Sequence, residues 1–500
     1  MAFPSRILAA IPNQNRISHD LQARARSGSG RYVLSGGQAA TRTVRSVEKA
    51  EARIEMLVVM RHRQVGPALL LHSSRLAMIR IALLVALLPA SLVRAEAPSH
   101  PARVIPVDAN DLARAVRAAP PHAVLVADRA EQVEVSETVR VDKPLTLVGL
   151  NMRLRPGLGK VPILEVLSED VQIREFVLVG NGDSVEQADR APLIVVRRGR
   201  FVIENGRTDN SAKDGVMITP EERFGDIEHG VVRNLTARGT IRDVVSIGGR
   251  GDRGLFVRHL VVENIRSYGS KLRGPVEVSD GSEHITVRDI YAESSFYGVD
   301  VQDHSRPGMV NRHVLIDGVQ VRDCVTAIRT ANRDFGHDGL TIRNVSGSDF
   351  RAGGSWSPLH VRNTSNVVIE NVLLAGGPLD RPWLMTENVR NLTLRNVTVV
   401  GAAHDGAAIE VRDPDTALLD NLVVSGDARP GTAVNVVLAA QRRLGPLRIR
   451  NVVATGARDV GIAVSGMPGA VGLDASLITD NLATVRVAVD SARTVLERNL

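Results

Sequence analysis

The chain has 500 residues, 62 Lys+Arg against 55 Asp+Glu, and a formal net charge of +7. That balance invites a nucleic-acid reading, but residues 1–95 hold fourteen basic and four acidic side chains, a net +10, which leaves −3 for the other 405. A composition of 44% apolar and 23% charged residues excludes a disordered or collagen-like chain, and 3% aromatics with 43 glycines point to a core of small and β-branched side chains.

The basic excess belongs to a leader in two parts. Residues 1–77 are rich in Arg, Ser and Gly without sustained periodicity, and are expected to be an over-extended reading frame, with Met78 the true start, or a disordered basic extension. Met78-Ile79-Arg80, the eight apolar residues Ile81–Leu88 and the small-residue exit Val93-Arg94-Ala95 predict a signal peptide over 78–95. The apolar run is too short to span a bilayer, and nothing after it approaches 18 continuous apolar residues. Residues 96–500 are therefore expected to form one exported domain, secreted or periplasmic. Cys324, the single cysteine, excludes a disulfide framework and any multi-Cys metal site, and its alternating context "VQVRDCVT" places it as a small buried hydrophobe.

Along the exported part, "DANDLARAVRAAP" predicts an amphipathic helix from about Asn110 to Ala118. From Phe201 onwards one pattern recurs: two alternating apolar residues, a charged residue, Asn or Asp, and another apolar residue. The Asn/Asp position falls at Asn205, Asn234, Asn264, Asp289, Gly318 (an exception), Asn344, Asn371, Asn396, Asn421 and Asn451, at intervals of 25 to 30 residues. Period-two alternation bounded by Gly, Asn and Asp, with no helical period between, predicts short parallel strands stacked one repeat apart. A β-solenoid of roughly 11–13 coils follows, with the helix capping its open end and the Asn/Asp residues stacked as a polar ladder at a turn. The helix, together with "KPLTLVG" at Lys143–Gly149, resembles the opening of right-handed parallel β-helix proteins of the pectin lyase-like superfamily. The resemblance implies an all-β, right-handed single-stranded parallel β-helix that most often acts on polysaccharides, and it names no reaction.

A second strand precedes each Asn motif. Its inward pairs are Val216/Ile218, Val245/Ile247, Val276/Val278, Val299/Val301, Ile328/Thr330, Leu359/Val361, Leu384/Thr386 and Ile409/Val411. The residue between each pair points outward, which gives a column of Met217, Ser246, Glu277, Asp300, Arg329, His360, Met385 and Glu410. Glu277 and Asp300 should stand about 5 Å apart, close enough to split into a protonated and an ionised carboxylate, with Arg329 as charge partner or as neutraliser of a uronate carboxylate. The alternative is a salt-bridge ladder on a solvated sheet. Flanking residues cluster near the column's centre: Lys271 and Arg273; Asp303, His304 and Arg306; Asn332, Arg333, Asp334 and His337; Tyr297, read as an outward position before Asp300; and Trp356, facing sugar or packing under its loop. Asp214 and Asp243 should stack in adjacent coils, as turn stabilisers.

Tyr297-Gly298-Val299-Asp300 resembles the Tyr-Gly-x-Asp-x-His signature of alginate C5-epimerases, with Gln302 in the His position and His304 two residues later. "DVVSIGG" from Asp243 faintly resembles polygalacturonases, with Val244 where they carry a second Asp. The residues predict a secreted carbohydrate-active enzyme cleaving glycosidic bonds of an acidic polysaccharide by hydrolysis or β-elimination. Glu277, Asp300 and Arg329 are its expected catalytic residues, and Tyr297, His304, His360, Lys271, Arg273, Trp356 and His337 its expected substrate contacts. The alternatives are a non-catalytic glycan-binding or cell-surface β-helix and a uronan C5-epimerase. No metal site or cofactor is predicted; calcium would need a ligand-dense loop. The expected partner is a polysaccharide, with no nucleic acid and no membrane span.

Overall fold

Each repeat supplies one short and one long strand, and neighbouring repeats stack them in parallel. The computed structural model describes residues 103–499 apart from 334, 378, 402–405, 426–429, 439–444, 456, 467–475, 480, 489–493 and 498. The leader 1–77, the predicted signal peptide 78–95 and Asp334 lie outside the described residues. The short strands, among them Val245–Gly248, Val276–Ser279 and Tyr297–Gln302, form a fourteen-stranded sheet running without interruption from Val139–Val141 to Val485–Ala488. The long strands, such as Val257–Tyr268 and Thr364–Ala375, form an eighteen-stranded sheet. The product is the expected right-handed parallel β-helix, of about 13 turns. All sixteen side chains of the eight inward pairs are buried, in stacks of Val, Ile, Leu and two Thr.

The Asn/Asp positions mark where the long strands bend. Asn205, Asn234, Asn264, Asp289, Asn344, Asn371, Asn396, Asn421 and Asn451 all take positive φ, between 50° and 58°, and drop out of the strand pairing while their neighbours stay in register. Asn tolerates this left-handed conformation better than other non-glycine residues, and Gly318 substitutes at φ 74°. The side-chain amides then bond from coil to coil: Asn234 to Asn205 at 2.8 Å, Asn264 to Asn234 at 2.9 Å, Asn396 to Asn371 at 3.0 Å and Asn421 to Asn396 at 2.9 Å. The predicted ladder is therefore both a bend and a hydrogen-bonded stack.

One position earlier runs a ladder of charge. In paired register stand Arg174, Glu204, Arg233, Glu263, Arg288, Asp317, Arg343, Glu370, Arg395, Asp420 and Arg450, with the sign reversed at every step. Neighbours bond directly, as in Arg233–Glu204 at 2.6 Å and Arg343–Asp317 at 2.7 Å. Slipping a coil by one residue would carry these side chains to the opposite face of the sheet. At the N-terminal end, a 3₁₀ turn at Ala109–Asp111 leads into the helix Leu112–Ala118, which starts two residues later than expected. The helix buries Leu112 and Val116 and packs on Val139–Val141, covering the end of the short-strand sheet. Cys324 is buried as expected, its thiol directed at the Ala292 carbonyl 3.7 Å away, and burial pushes its pKa up to about 11.

Candidate active site

Strand pairing places Met217, Ser246, Glu277, Asp300, Arg329, His360, Met385 and Glu410 in one column, each residue level with the next. Pointing away from the core does not expose them. Glu277 is 1% and Asp300 0% exposed, so the solvated salt-bridge ladder is not what forms here. What reaches solvent is two guanidinium groups and an imidazole: the side chains of Arg242 and Arg273 keep 25% and 23% of their surface, and that of His304 28%.

The buried network extends further back than the column. Asp214 and Asp243 stack in adjacent coils at 0% exposure, the backbone N–H of Asp243 donating to Asp214 Oδ1 at 3.3 Å. Arg242 reaches Asp214 at 3.4 Å, Asp243 at 3.8 Å and Glu277 at 3.5 Å, while Arg273 binds Glu277 directly and reaches Asp243 at 3.5 Å. Arg329 donates to Asp300 Oδ2 at 2.7 Å, and its guanidinium is enclosed by the rings of Phe296, Tyr297 and Trp356 at 5.1, 5.0 and 4.7 Å. Four acidic side chains thus face three guanidinium groups. Burial, then the neighbouring Asp214, pushes Asp243 up to about 7 against the pull of Arg273, Arg242 and Tyr297. With Asp243 protonated, three acidic side chains remain against three guanidinium groups.

Tyr297 is buried beneath the surface rather than outward, and its hydroxyl donates to Asp243 Oδ1 at 2.6 Å, two coils back. Gly274 makes this possible. It occupies the place that Asp214 and Asp243 hold in earlier coils, and a Cβ there would lie 2.0 Å from the Tyr297 carbonyl oxygen and 2.4 Å from its ring. Burial, then Asp243 and Asp300, raises the Tyr297 hydroxyl well above its ordinary range. His304 does arrive at the cluster. Positive φ at His304 and Ser305 turns the loop back so that Nδ1 donates to Asp280 Oδ2 at 2.8 Å and Nε2 lies 3.5 Å from Glu277; Arg306 also binds Asp280, at 2.9 Å. Gln302, which stands in the motif's His position, is buried with its side-chain N–H groups unpaired.

Other expected contacts divide. Arg273 and Trp356 belong to the site, Trp356 packing edge-on to His360 at 5.1 Å. His360 is buried, and burial followed by Arg362, Arg412, Arg329 and Arg381 pushes it down to about 3, so it is neutral. Lys271 instead pairs with Asp183, 2.7 Å away on an earlier coil. His337 anchors a loop: it is buried, accepts the Asn311 N–H at 3.0 Å and lies 3.5 Å from Asp303. Sequence reasoning missed Arg242, Asp280 and the part played by Asp243. The available signal was the basic column Lys213, Arg242, Arg273, three residues ahead of each inward Val. Among the described residues no group of three or more His, Cys, Asp or Glu is arranged to hold a metal ion, and no helix is long and apolar enough to cross a membrane.

No protein-family model matches the chain, and no curated protein matches it. Among solved structures, the Azotobacter vinelandii mannuronan C-5 epimerase AlgE6 A-module is similar at 14% identity and TM-score 0.55, over 69% of this chain and 94% of that one. The catalytic unit of a GH87 α-1,3-glucanase from Streptomyces thermodiastaticus aligns at 14% identity and TM-score 0.42, over 81% and 71%. PfbA, a surface adhesin of Streptococcus pneumoniae, aligns at 11% and 0.42, over 78% and 88%. At these identities the likeness is one of fold alone, a parallel β-helix.

Proposed function

We propose that this chain is an exported enzyme acting on a uronate-containing polysaccharide by removing the proton α to the uronate carboxylate. The observation that carries the reading is the inversion of the site: the carboxylates are buried and ion-paired, while guanidinium groups and one imidazole reach solvent. Hydrolysis of a glycosidic bond asks for two carboxylates free to act on the sugar, and Glu277 and Asp300 are buried and each committed to a guanidinium group. Proton abstraction from a uronate asks first for a cation against its carboxylate, which stabilises the negative charge that develops. Arg273 and Arg242 are the candidates, held from beneath by Glu277. Asp300 holds Arg329 in its aromatic enclosure in the same way.

His304 is the candidate base. Asp280 fixes its Nδ1, and Nε2, 3.5 Å from Glu277, is the nitrogen that would exchange a proton. The C5 proton passes to the base. A proton returned to the opposite face of C5 gives the epimer, whereas departure of the C4 glycosidic oxygen with its electron pair gives β-elimination and an unsaturated uronate. Beneath it, Asp243 and Tyr297 form a hydrogen-bonded pair in which one carboxyl titrates near neutrality.

The test is to incubate the purified chain with polyuronates and neutral polysaccharides in heavy water. Deuterium at C5 without chain cleavage reports epimerisation, and absorbance of unsaturated uronate reports elimination. New reducing ends alone would mean hydrolysis and would overturn the reading, as would binding without turnover on every polyuronate.

A further inference from the structure

Beyond Arg329 the column changes character. His360 occupies the next coil at 4% exposure, yet among the described residues neither of its ring nitrogens has a hydrogen-bond partner, and the carboxylate oxygen it approaches, on Glu387, is 4.0 Å away. Leaving such groups unmet costs about 1–3 kcal/mol each, so they call for a partner from outside the polypeptide. Further unmet atoms accompany it: Ser357 Oγ and Arg362 Nε are buried without partners among the described residues. Half-buried Trp356 lies between two guanidinium groups, Arg329 at 4.7 Å and Arg362 at 5.0 Å. Arg329 is neutralised by Asp300, whereas no carboxylate of the described residues forms an ion pair with Arg362.

We propose that Trp356, His360 and Arg362 form a subsite for another anionic sugar of the bound polymer, one coil beyond Arg329 and three beyond Glu277, where the proton-transfer site lies. The polymer's identity rests on the uronan reading; the subsite's chemistry does not. An aromatic ring takes a sugar face, an uncommitted guanidinium takes a carboxylate or sulfate, and a neutral imidazole offers one donor and one acceptor to a hydroxyl. Strands stack about 4.8 Å apart, comparable with the length of one pyranose. Neighbouring sugars of an extended chain can therefore meet neighbouring coils.

Tryptophan fluorescence tests this directly, because the only other tryptophan, Trp383, is fully buried. The full chain is titrated with oligogalacturonates, oligomannuronates, sulfated oligosaccharides and neutral oligosaccharides of matched length. The anionic series should change the emission, the change should vanish in Trp356→Phe, and Arg362→Met should weaken binding about tenfold. Arg362→Lys, which keeps the charge, should recover part of that loss and guards against a folding artefact. Comparing the uronate and sulfate arms identifies which anion is taken. An equal response to neutral oligosaccharides, or unchanged affinity in Arg362→Met and His360→Phe, overturns the subsite. If the anionic titrations succeed without turnover, the proton-transfer reading fails and the subsite stands. If turnover proceeds with no Trp356 response and an unchanged KM in Arg362→Met, the subsite fails and the reading stands.

Discussion

Replacing Asp243 with Asn removes the one acid of the cluster whose titration is pushed to about 7. An unfolded chain ionises this carboxyl near 3.8, so between those values the folded protein holds a proton that the unfolded one has released. Stability on account of this group is therefore fully present below about pH 4 and falls by about 1.4 kcal/mol for each pH unit up to 7, about 4 kcal/mol in all, then levels off. The Asp243→Asn side chain has no proton to hold or release over that range. Urea unfolding of wild type and Asp243→Asn, followed by circular dichroism at pH intervals from 4 to 9, should show the variant gaining on wild type as pH rises and running parallel above about 7. Titrating groups that do not interact with Asp243 are common to both proteins and cancel in the difference. In a solenoid the relation holds for whichever coils unfold together with Asp243. A difference independent of pH, or one that grows towards acid, refutes the assignment.

Arg329→Gln should destabilise by roughly 3 kcal/mol, because it leaves Asp300 buried without its partner. Adding Asp300→Asn should restore most of that loss, as read from denaturation midpoints in a double-mutant cycle. Gly274→Ala drives a Cβ into the Tyr297 backbone and should cost about 1–3 kcal/mol; Tyr297→Phe in the same chain should not rescue it, since the carbonyl oxygen is the closest contact. Asn396→Ala loses an amide bond to each neighbour and keeps a positive φ, a cost of about 2–3 kcal/mol, with Asn396→Gly milder by about 1 because the strain is relieved. Expression in a secreting bacterium should yield a mature protein that begins at Glu96 by N-terminal sequencing; retention of Met78–Ala95 would refute the signal-peptide reading.

The coils were legible because the inward pairs recur in step, and a period of two leaves little freedom once one face is apolar. The same pairs carried the register of the outward column, so the order Glu277, Asp300, Arg329, His360 could be read directly from the sequence. Depth could not. Alternation says which way a side chain leaves the sheet, and nothing about the loops folded over it. Lys271 and Arg273 stand two residues apart on one loop, yet the first pairs with Asp183 and the second with Glu277. The Tyr297–Asp243 bond spans 54 residues. Its trace in the sequence is the absence at Gly274 of a third Asp, which becomes informative only once the ring that fills the space is known.

Two charged columns run along this solenoid, and the comparison separates structure from chemistry. Beside the Asn ladder the sign reverses at every coil from Arg174 to Arg450, most members are half-exposed, and each finds its partner one coil away. Such a column is satisfied within the fold and asks nothing of a ligand. On the short-strand sheet the signs are grouped instead: Glu277 and Asp300 follow one another in the column, with Asp214 and Asp243 at the turn ahead of the two preceding coils, before Arg329 and the neutral His360. Grouping forces like charges together in a buried setting. The fold answers at one end by importing Arg242 and Arg273 and by raising Asp243 to about 7, and at the other leaves the His360 nitrogens and Arg362 Nε without hydrogen-bond partners among the described residues. A column built for register alone would gain stability by alternating as its neighbour does. The departure from alternation is the physical reason to place function on this face.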